Sequence, residues 1–325
     1  MKAAIYTRYG AANVVTLAQR PVPSPQEGQI LIRVHASSVT AADTMIREGT
    51  PRFGRLFLGL RGPKVTAMGT QFAGEVVETG AGVAKFAVGD RVFGETGLQF
   101  GAHAEYVCID QSELIAPIPA GMTDIDAAAL CDGPLTSMNF LSNLAELQPG
   151  QHILINGAAG SLGTAAVQLA KGIGAEVTAV CSTRNVAFVK SLGADHVVDY
   201  NRDDFTKARG RYDVIYDTVG KSSFQASKAA LKPRGRYISP VLSLRLLGQM
   251  MRTNCFGRKK AMFSATGMLP VEKQRPLLED LLDRIAKGDL KMVIDRRFPL
   301  DRVAEAHAYV DTGHKRGNVI LDIAA

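Results

Sequence analysis

The 325-residue sequence has no tryptophan, and aromatic residues make up only 6% of it. Its four cysteines, Cys108, Cys131, Cys181 and Cys255, show no short spacing between any two. That pattern offers neither a disulfide framework nor a zinc cluster, and it points to a reducing cytoplasm. No run of 18 apolar residues occurs, and the opening MKAAIYTRYG has no signal-peptide body, so stable membrane insertion is not expected. Neither a Ser–His–Asp set nor a pair of carboxylates stands out, which removes the usual grounds for hydrolysis. The net charge of +7 is partly local, in Arg252 to Lys260 and in Arg296, Arg297, Lys315 and Arg316. RNA or an anionic membrane can read such patches. Aromatics are sparse beside them and no nucleic-acid motif accompanies them. A solvated basic face, helped by binding a polyanionic cofactor, is the better account.

What is present is an ordinary globular composition, 46% hydrophobic and 21% charged, with room for about two domains. The most informative stretch is HILINGAAGSLG, residues 152–163. A short apolar run enters Gly157, Gly160 and Gly163, and a helix-like TAAVQLAKGIG follows. A buried strand, a glycine turn and a helix N-terminus gather backbone N–H groups and the helix dipole at one point, where a dinucleotide pyrophosphate binds. Further strands are expected at Glu176–Val180, His196–Tyr200, Tyr212–Tyr216 and Gly235–Pro240, with helical stretches at Val186–Leu192 and Phe224–Leu231. Alternation of this kind argues for an α/β fold with a doubly wound parallel sheet.

The end of the second strand selects the cofactor. An NAD site normally puts a carboxylate there for the ribose 2′-hydroxyl. Here the strand runs into Cys181-Ser182-Thr183-Arg184, two hydroxyls and a guanidinium. A 2′-phosphate wants such donors and would be repelled by an acid, so NADP(H) is favoured. Tyr200, at the end of the third strand, is a further hydroxyl for that phosphate.

The first 118 residues have a different texture, with short β-rich runs (Ile30–Ala36, Gly74–Thr79, Ala104–Ile109) between Gly and Pro clusters. They read as a barrel-like β domain. The expected division is residues 1–118 with 266–325 as one domain and 119–265 as the dinucleotide-binding domain. A helix at Glu272–Lys287 stopped by Gly288, and a terminal strand at Asn318–Ile323, complete the pattern. Ala261–Ala265 reads as the last strand of the parallel sheet, and its open edge invites pairing with a second copy as a homodimer. The segment Pro51–Gly62, apolar with basic flanks, is either a lid or a packed loop.

The chain resembles the zinc-independent medium-chain dehydrogenase/reductases, in their quinone oxidoreductase and enone (alkenal) reductase branch. The resemblance rests on Val34-His-Ala-Ser-Ser-Val-Thr-Ala-Ala-Asp43, Gly69-Thr-Gln-Phe-Ala-Gly-Glu-Val-Val77, Val88-Gly-Asp-Arg-Val-Phe93, Gly157–Gly163, Ser191-Leu-Gly-Ala-Asp195, Tyr216-Asp-Thr-Val-Gly220 and Gly317-Asn318. It implies a GroES-like catalytic domain, a Rossmann domain and a homodimer. Zinc-dependent relatives carry Gly-His-Glu where this chain has Gly69-Thr70-Gln71, so no zinc site is expected. Met45 stands where the zinc-free branch often has Tyr, so that side-chain acid is absent too.

By position, the resemblance puts Ala158, Ala159, Gly160, Ser161, Leu162 and Gly163 on the pyrophosphate, and Ser182, Arg184 and Tyr200 on the 2′-phosphate. Val219 and Gly220 would flank the adenosine, with Thr136, Thr40, Ser239 and Asn318 toward the nicotinamide. Thr40 and Asp43 are the catalytic candidates, Asp43 being open to a role that only orients its loop. His35 and His103 are candidates for a proton relay, with water as the alternative donor. The implied reaction is hydride transfer from NADPH to a quinone or an α,β-unsaturated carbonyl. The competing readings are a metal-free reductase of another carbonyl, and a non-enzymatic NADPH-binding protein using its basic face for RNA or membrane.

Overall fold

The computed structural model describes residues 1–324, which divide into two compact units. One unit comprises Gly133–Thr266 and Leu277–Val293. Its sheet has six strands: β1 (His152–Asn156), β2 (Glu176–Cys181), β3 (His196–Asp199), β4 (Tyr212–Asp217), β5 (Leu231–Ser239) and β6 (Lys260–Phe263). All pairs are parallel, in the order β3-β2-β1-β4-β5-β6. Every residue of β1 is buried, as expected of a strand covered on both faces. The order reverses between β1 and β4, and in such sheets that switch point is where ligands bind. The strand β6 pairs only with β5 and leaves one sheet edge open among the described residues.

Two local expectations need correction. The helix expected over Phe224–Leu231 is only Phe224–Ser227, and the strand that follows begins at Leu231 rather than Gly235. Arg234, at φ 66°, lies within a register irregularity of β5, so the pairing with β4 resumes at Arg236. An isolated reading of Lys232-Pro233-Arg234-Gly235 sees turn chemistry, yet the fold absorbs it as a bulge.

The second unit comprises Met1–Asp132, Gly267–Pro276 and the chain from Ile294 on. Its long strand Gln29–Val39 pairs antiparallel with Gln71–Thr79, Tyr106–Asp110 and Asn318–Asp322. Arg91–Glu95 and Ile115–Pro117 extend the sheet on one side, and Ile294–Pro299 ends it on the other. Its core is made by inward-facing Ile30, Ile32, Phe72, Val76, Val92 and Ile109, all fully buried. A second core packs the helix Val303–Asp311 against Ala4, Tyr6, Val39 and Val319.

Apart from a one-residue shift at Thr266, the compact units differ from the expected division over two stretches. Residues 119–132 belong to the β-rich unit, where Asp124 accepts from Arg91 at 2.6 Å and pairs with His35 at 3.0 Å. Leu277–Val293 belongs to the parallel-sheet unit. There Gln168 and Lys291 exchange hydrogen bonds, Gln168 Nε2 to the Lys291 carbonyl at 3.1 Å and the Lys291 N–H to Gln168 Oε1 at 3.0 Å. The division falls inside the helix Val271–Ala286, which Gly288 follows at φ 81°. No helix among the described residues is long and apolar enough to cross a membrane.

Candidate dinucleotide and catalytic site

The strand β1 leaves the sheet through Gly157, at φ 82°, a left-handed conformation that favours glycine. The N–H groups of Gly157 and Ala158 both donate to the Val180 carbonyl, at 3.2 and 3.1 Å, which pins the turn to β2. Gly160 then caps the helix Ser161–Ile173 in an extended conformation and brings no side chain to the first-turn amides. The three glycines serve different ends. A Cβ on Gly163 would lie 2.2 Å from the Gly157 carbonyl oxygen and 2.5 Å from Ala158 Cα. Gly163 is therefore the condition for the helix to sit this close to the turn. A Cβ on Gly160 would find no atom closer than the Gly157 oxygen at 3.5 Å. Beyond its chain neighbours and its own helix, no other atom of the described residues lies within 4 Å of that position, at the positive end of a 13-residue helix. Ala158, Ala159 and Ser161 are buried beneath it, and Leu162 is half-buried.

Thr136 lies in the helix Gly133–Asn139, which is brought against this turn. The neighbouring Ser137 hydroxyl donates to the Leu162 carbonyl at 2.8 Å. A Cβ on Gly133 would meet Ser161 Oγ at 2.5 Å, so the helix that carries Thr136 packs closely on the start of the helix Ser161–Ile173.

Ser182 and Arg184 lie just past the end of β2, in a short 3-10 turn capped by Ser182. Arg184 and Thr183 are exposed. Tyr200 follows β3, donates its N–H to the Cys181 carbonyl at 3.1 Å, and is 53% exposed. The structure adds a residue that sequence reasoning missed. Asp199 pairs in register with Cys181, so its carboxylate reaches the β2 end from the adjacent strand. It accepts from Thr183 Oγ1 at 2.6 Å and from the Asn201 N–H at 3.0 Å, and Arg202 lies 3.7 Å away. The Thr183 hydrogen bond foremost holds its carboxyl below the usual range. The absence of an acid beyond β2 is thus true of the sequence and incomplete for the space around it.

A second missed residue is Asp217, fully buried at the end of β4. It accepts from Asn156 Nδ2 (2.9 Å), the Gly220 N–H (3.0 Å), the Ser222 N–H (2.9 Å) and the Tyr237 hydroxyl (2.8 Å). Burial, with the Asp217 charge adding to it, raises the Tyr237 phenol, so this hydroxyl stays protonated and donates. Asp217 thereby shapes the loop that presents Val219, which is 43% exposed, and Gly220, at φ 64°. Ser239 is buried at the end of β5 and donates to the Asp217 carbonyl at 2.8 Å. The available signal was an acid ending a buried strand just before a glycine.

In the β-rich unit, Thr40 and Asp43 form a reciprocal cap on the helix Ala41–Glu48. The Asp43 N–H donates to Thr40 Oγ1 at 3.0 Å, while Asp43 Oδ2 accepts from the Thr40 N–H at 2.8 Å and its hydroxyl at 2.7 Å. Both are buried. Val319 pairs with Val39, which puts Asn318 at the same end of the strand pair as Thr40. The relay candidates have structural partners: His35 pairs with Asp124, and buried His103 Nε2 contacts the Ser38 carbonyl at 3.0 Å. Gln71 is buried with both ends of its amide engaged, accepting from Ser38 Oγ and donating to Glu95 at 3.2 Å. Burial, with the Asp132 charge adding to it, pushes the Glu95 carboxyl up to about 8. Glu95 is a third residue that sequence reasoning missed, because nothing in Arg91–Glu95 marks its last side chain as inward-facing.

Two family models match this chain. Residues 26–120 match the alcohol dehydrogenase GroES-like domain, and residues 192–321 match the zinc-binding dehydrogenase domain. The chain is 31% identical over 334 residues to the chloroplast envelope quinone oxidoreductase homolog of Arabidopsis thaliana, covering 99% of this chain and 98% of that one. The chain belongs to the medium-chain dehydrogenase/reductase family. Within that family it is also 30% identical to the NADPH-dependent alkenal/one oxidoreductase of Arabidopsis thaliana, over 99% of this chain and 79% of that one. The quinone oxidoreductase structure from Coxiella burnetii superposes with a TM-score of 0.87 at 30% identity, covering 99% of both chains. The GroES-like and Rossmann parts expected from the sequence are those of this family.

Proposed function

We propose that this protein is an NADPH-dependent oxidoreductase that delivers hydride to a quinone or an α,β-unsaturated carbonyl without zinc. The observation that carries the reading is the glycine turn before the helix Ser161–Ile173, tightened at Gly163, uncrowded at Gly160 and pinned to β2, with Ser182 and Arg184 beyond the β2 end. Those residues fit a dinucleotide phosphate. The relatives named as quinone and NADPH-dependent alkenal/one oxidoreductases support the same chemistry.

When bound, NADPH supplies a hydride from C4 of its nicotinamide. The chain's own residues supply binding, orientation and polarity. The amides at the helix start, around Ser161, Leu162 and Gly163, receive the pyrophosphate. Ser182, Arg184 and Tyr200 receive the 2′-phosphate, and Val219 and Gly220, held by Asp217, flank the adenosine. Within the parallel-sheet unit Thr136 and Ser239 are assigned to the nicotinamide side; within the β-rich unit the Thr40–Asp43 cap fixes the loop that bears Thr40. A quinone or enone needs only hydrogen-bond donors for its developing oxygen charge, because that charge is delocalised. The proton that completes the quinol or saturated carbonyl comes from solvent.

The open edge at β6 supports a homodimer that continues the sheet through two copies, and the spacing of the cysteines supports a cytoplasmic setting. A monomeric mass at micromolar concentration would refute the dimer. The function is tested by following NADPH and NADH oxidation with a quinone, a short enal and a simple ketone. Turnover of the quinone or enal with NADPH is expected. A preference for the ketone, or for NADH, overturns the reading.

A further inference from the structure

The segment that follows the helix Ala41–Glu48 combines basic and exposed apolar side chains. Between Glu48 and Glu75 the sequence holds Arg52, Arg55, Arg61 and Lys64 and no acidic residue. The same stretch carries four exposed large apolar side chains: Phe57 (80%), Leu60 (68%), Leu56 (64%) and Val65 (38%). Its backbone is well anchored. The Tyr9 hydroxyl donates to the Gly59 carbonyl at 2.7 Å, and the Lys64 N–H donates to the Leu58 carbonyl at 2.8 Å. Arg55 donates to the carbonyls of Glu48 and Gly49, both at 3.0 Å, and lies 4.5 Å over the Tyr9 ring. The apolar tip is therefore held out toward solvent by a fastened base, with exposed Arg52, Arg61 and Lys64 around it.

We infer that Arg52–Val65 is a docking surface for an anionic phospholipid bilayer, with Leu56, Phe57 and Leu60 entering the interface and Arg52, Arg61 and Lys64 meeting the headgroups. Charge decides the occupant. A second copy of the chain joined through this patch would set these cations against themselves, whereas an anionic leaflet neutralises all of them at once. A small apolar tip ringed by basic side chains gains both from acyl-boundary burial and from the surface potential, without any spanning helix. Attachment of this kind is reversible and weakens with salt.

The test is co-sedimentation of the full-length protein with vesicles of phosphatidylcholine alone and of phosphatidylcholine with 30% phosphatidylserine. Two variants accompany it, F57S/L60S and R52Q/R61Q/K64Q, with thermal melts to confirm folding and light scattering for mass. Binding is expected to be at least tenfold stronger to the anionic vesicles, and each variant is expected to lose at least tenfold of it. The inference is overturned if the wild-type protein stays in the supernatant, if neutral vesicles bind it equally, or if the folded variants bind as well as wild type. It is also overturned if F57S/L60S halves the mass in solution, since the tip then joins two copies.

Discussion

Two glycines three residues apart should respond to the same substitution in opposite ways. In Gly163→Val the new Cβ falls 2.2 Å from the Gly157 carbonyl oxygen and 2.5 Å from a backbone Cα, and neither can swing aside. The helix must retreat from the turn, and overpacking of this kind typically costs about 1–3 kcal/mol, with backbone overlap at the upper end. In Gly160→Val the nearest protein atom is 3.5 Å from the Cβ, and the backbone, at φ −79°, suits any residue. The fold loses only a tolerable cap residue, at most ~1 kcal/mol. That corresponds to a melting shift of roughly 2–4 °C for a domain of 150–250 residues. The valine, however, occupies the space assigned to the pyrophosphate. Each charge-assisted amide–phosphate hydrogen bond lost is worth about 1.5–3 kcal/mol, so two of them weaken NADPH by at least about a hundredfold. Thermal melts and NADPH titrations of both variants measure this. A Gly160→Val protein that binds NADPH normally, or that melts as early as Gly163→Val, would refute the placement of the cradle.

Arg184→Ala should weaken NADPH by roughly ten- to a hundredfold, from loss of a charge-assisted contact worth about 1.5–3 kcal/mol, and leave NADH nearly unchanged; equal losses in parallel titrations would count against it. The Glu95 carboxyl, raised to about 8 in the fold, holds its proton more tightly there than in the unfolded chain. Its contribution to stability is therefore present below about pH 4.5 and is lost as pH rises toward 8. Glu95→Gln should flatten that loss and melt later than wild type at pH 9, and an unchanged profile would sink the assignment. His307 shifts the opposite way. It is buried beside His103, 5.5 Å away between ring centres, and burial foremost holds it well below the usual imidazole range. Its stabilising effect is thus present above about pH 6.5 and lost as pH falls. Melts from pH 7 to 5 should show a steeper decline for wild type than for His307→Leu.

Much of the parallel-sheet unit was legible because its signals are local. The run His152–Asn156 has an apolar centre, Ile153–Ile155, and the glycine spacing of Gly157, Gly160 and Gly163 declares the turn without help from distant residues. What was illegible depends on pairing across the sheet. Asp199 reaches the β2 end only because β3 lies in register beside β2, a fact no window around Ser182 contains. Asp217 sits within a recognised motif, but its grip on Asn156, Gly220, Ser222 and Tyr237 joins residues far apart in the chain. The Thr40–Asp43 pair shows the converse. Its spacing is that of a helix cap, and the structure gives it that duty as well as its place beside Asn318. Leu277–Val293 groups with the parallel-sheet unit, and the amphipathic helix that carries its first part says nothing by itself about which core receives its apolar face.

Turnover before and after exhaustive chelation separates metal-free hydride transfer from NADPH to a conjugated acceptor from zinc-assisted chemistry. With a quinone and a short enal as acceptors, NADPH oxidation should proceed at the same rate in both samples. NADP⁺-driven oxidation of simple primary and secondary alcohols should be slow beside it. Activity that disappears on chelation and returns with zinc would rule out metal-free transfer. Alcohol oxidation that outruns the reduction of both acceptors would contradict the choice of acceptor.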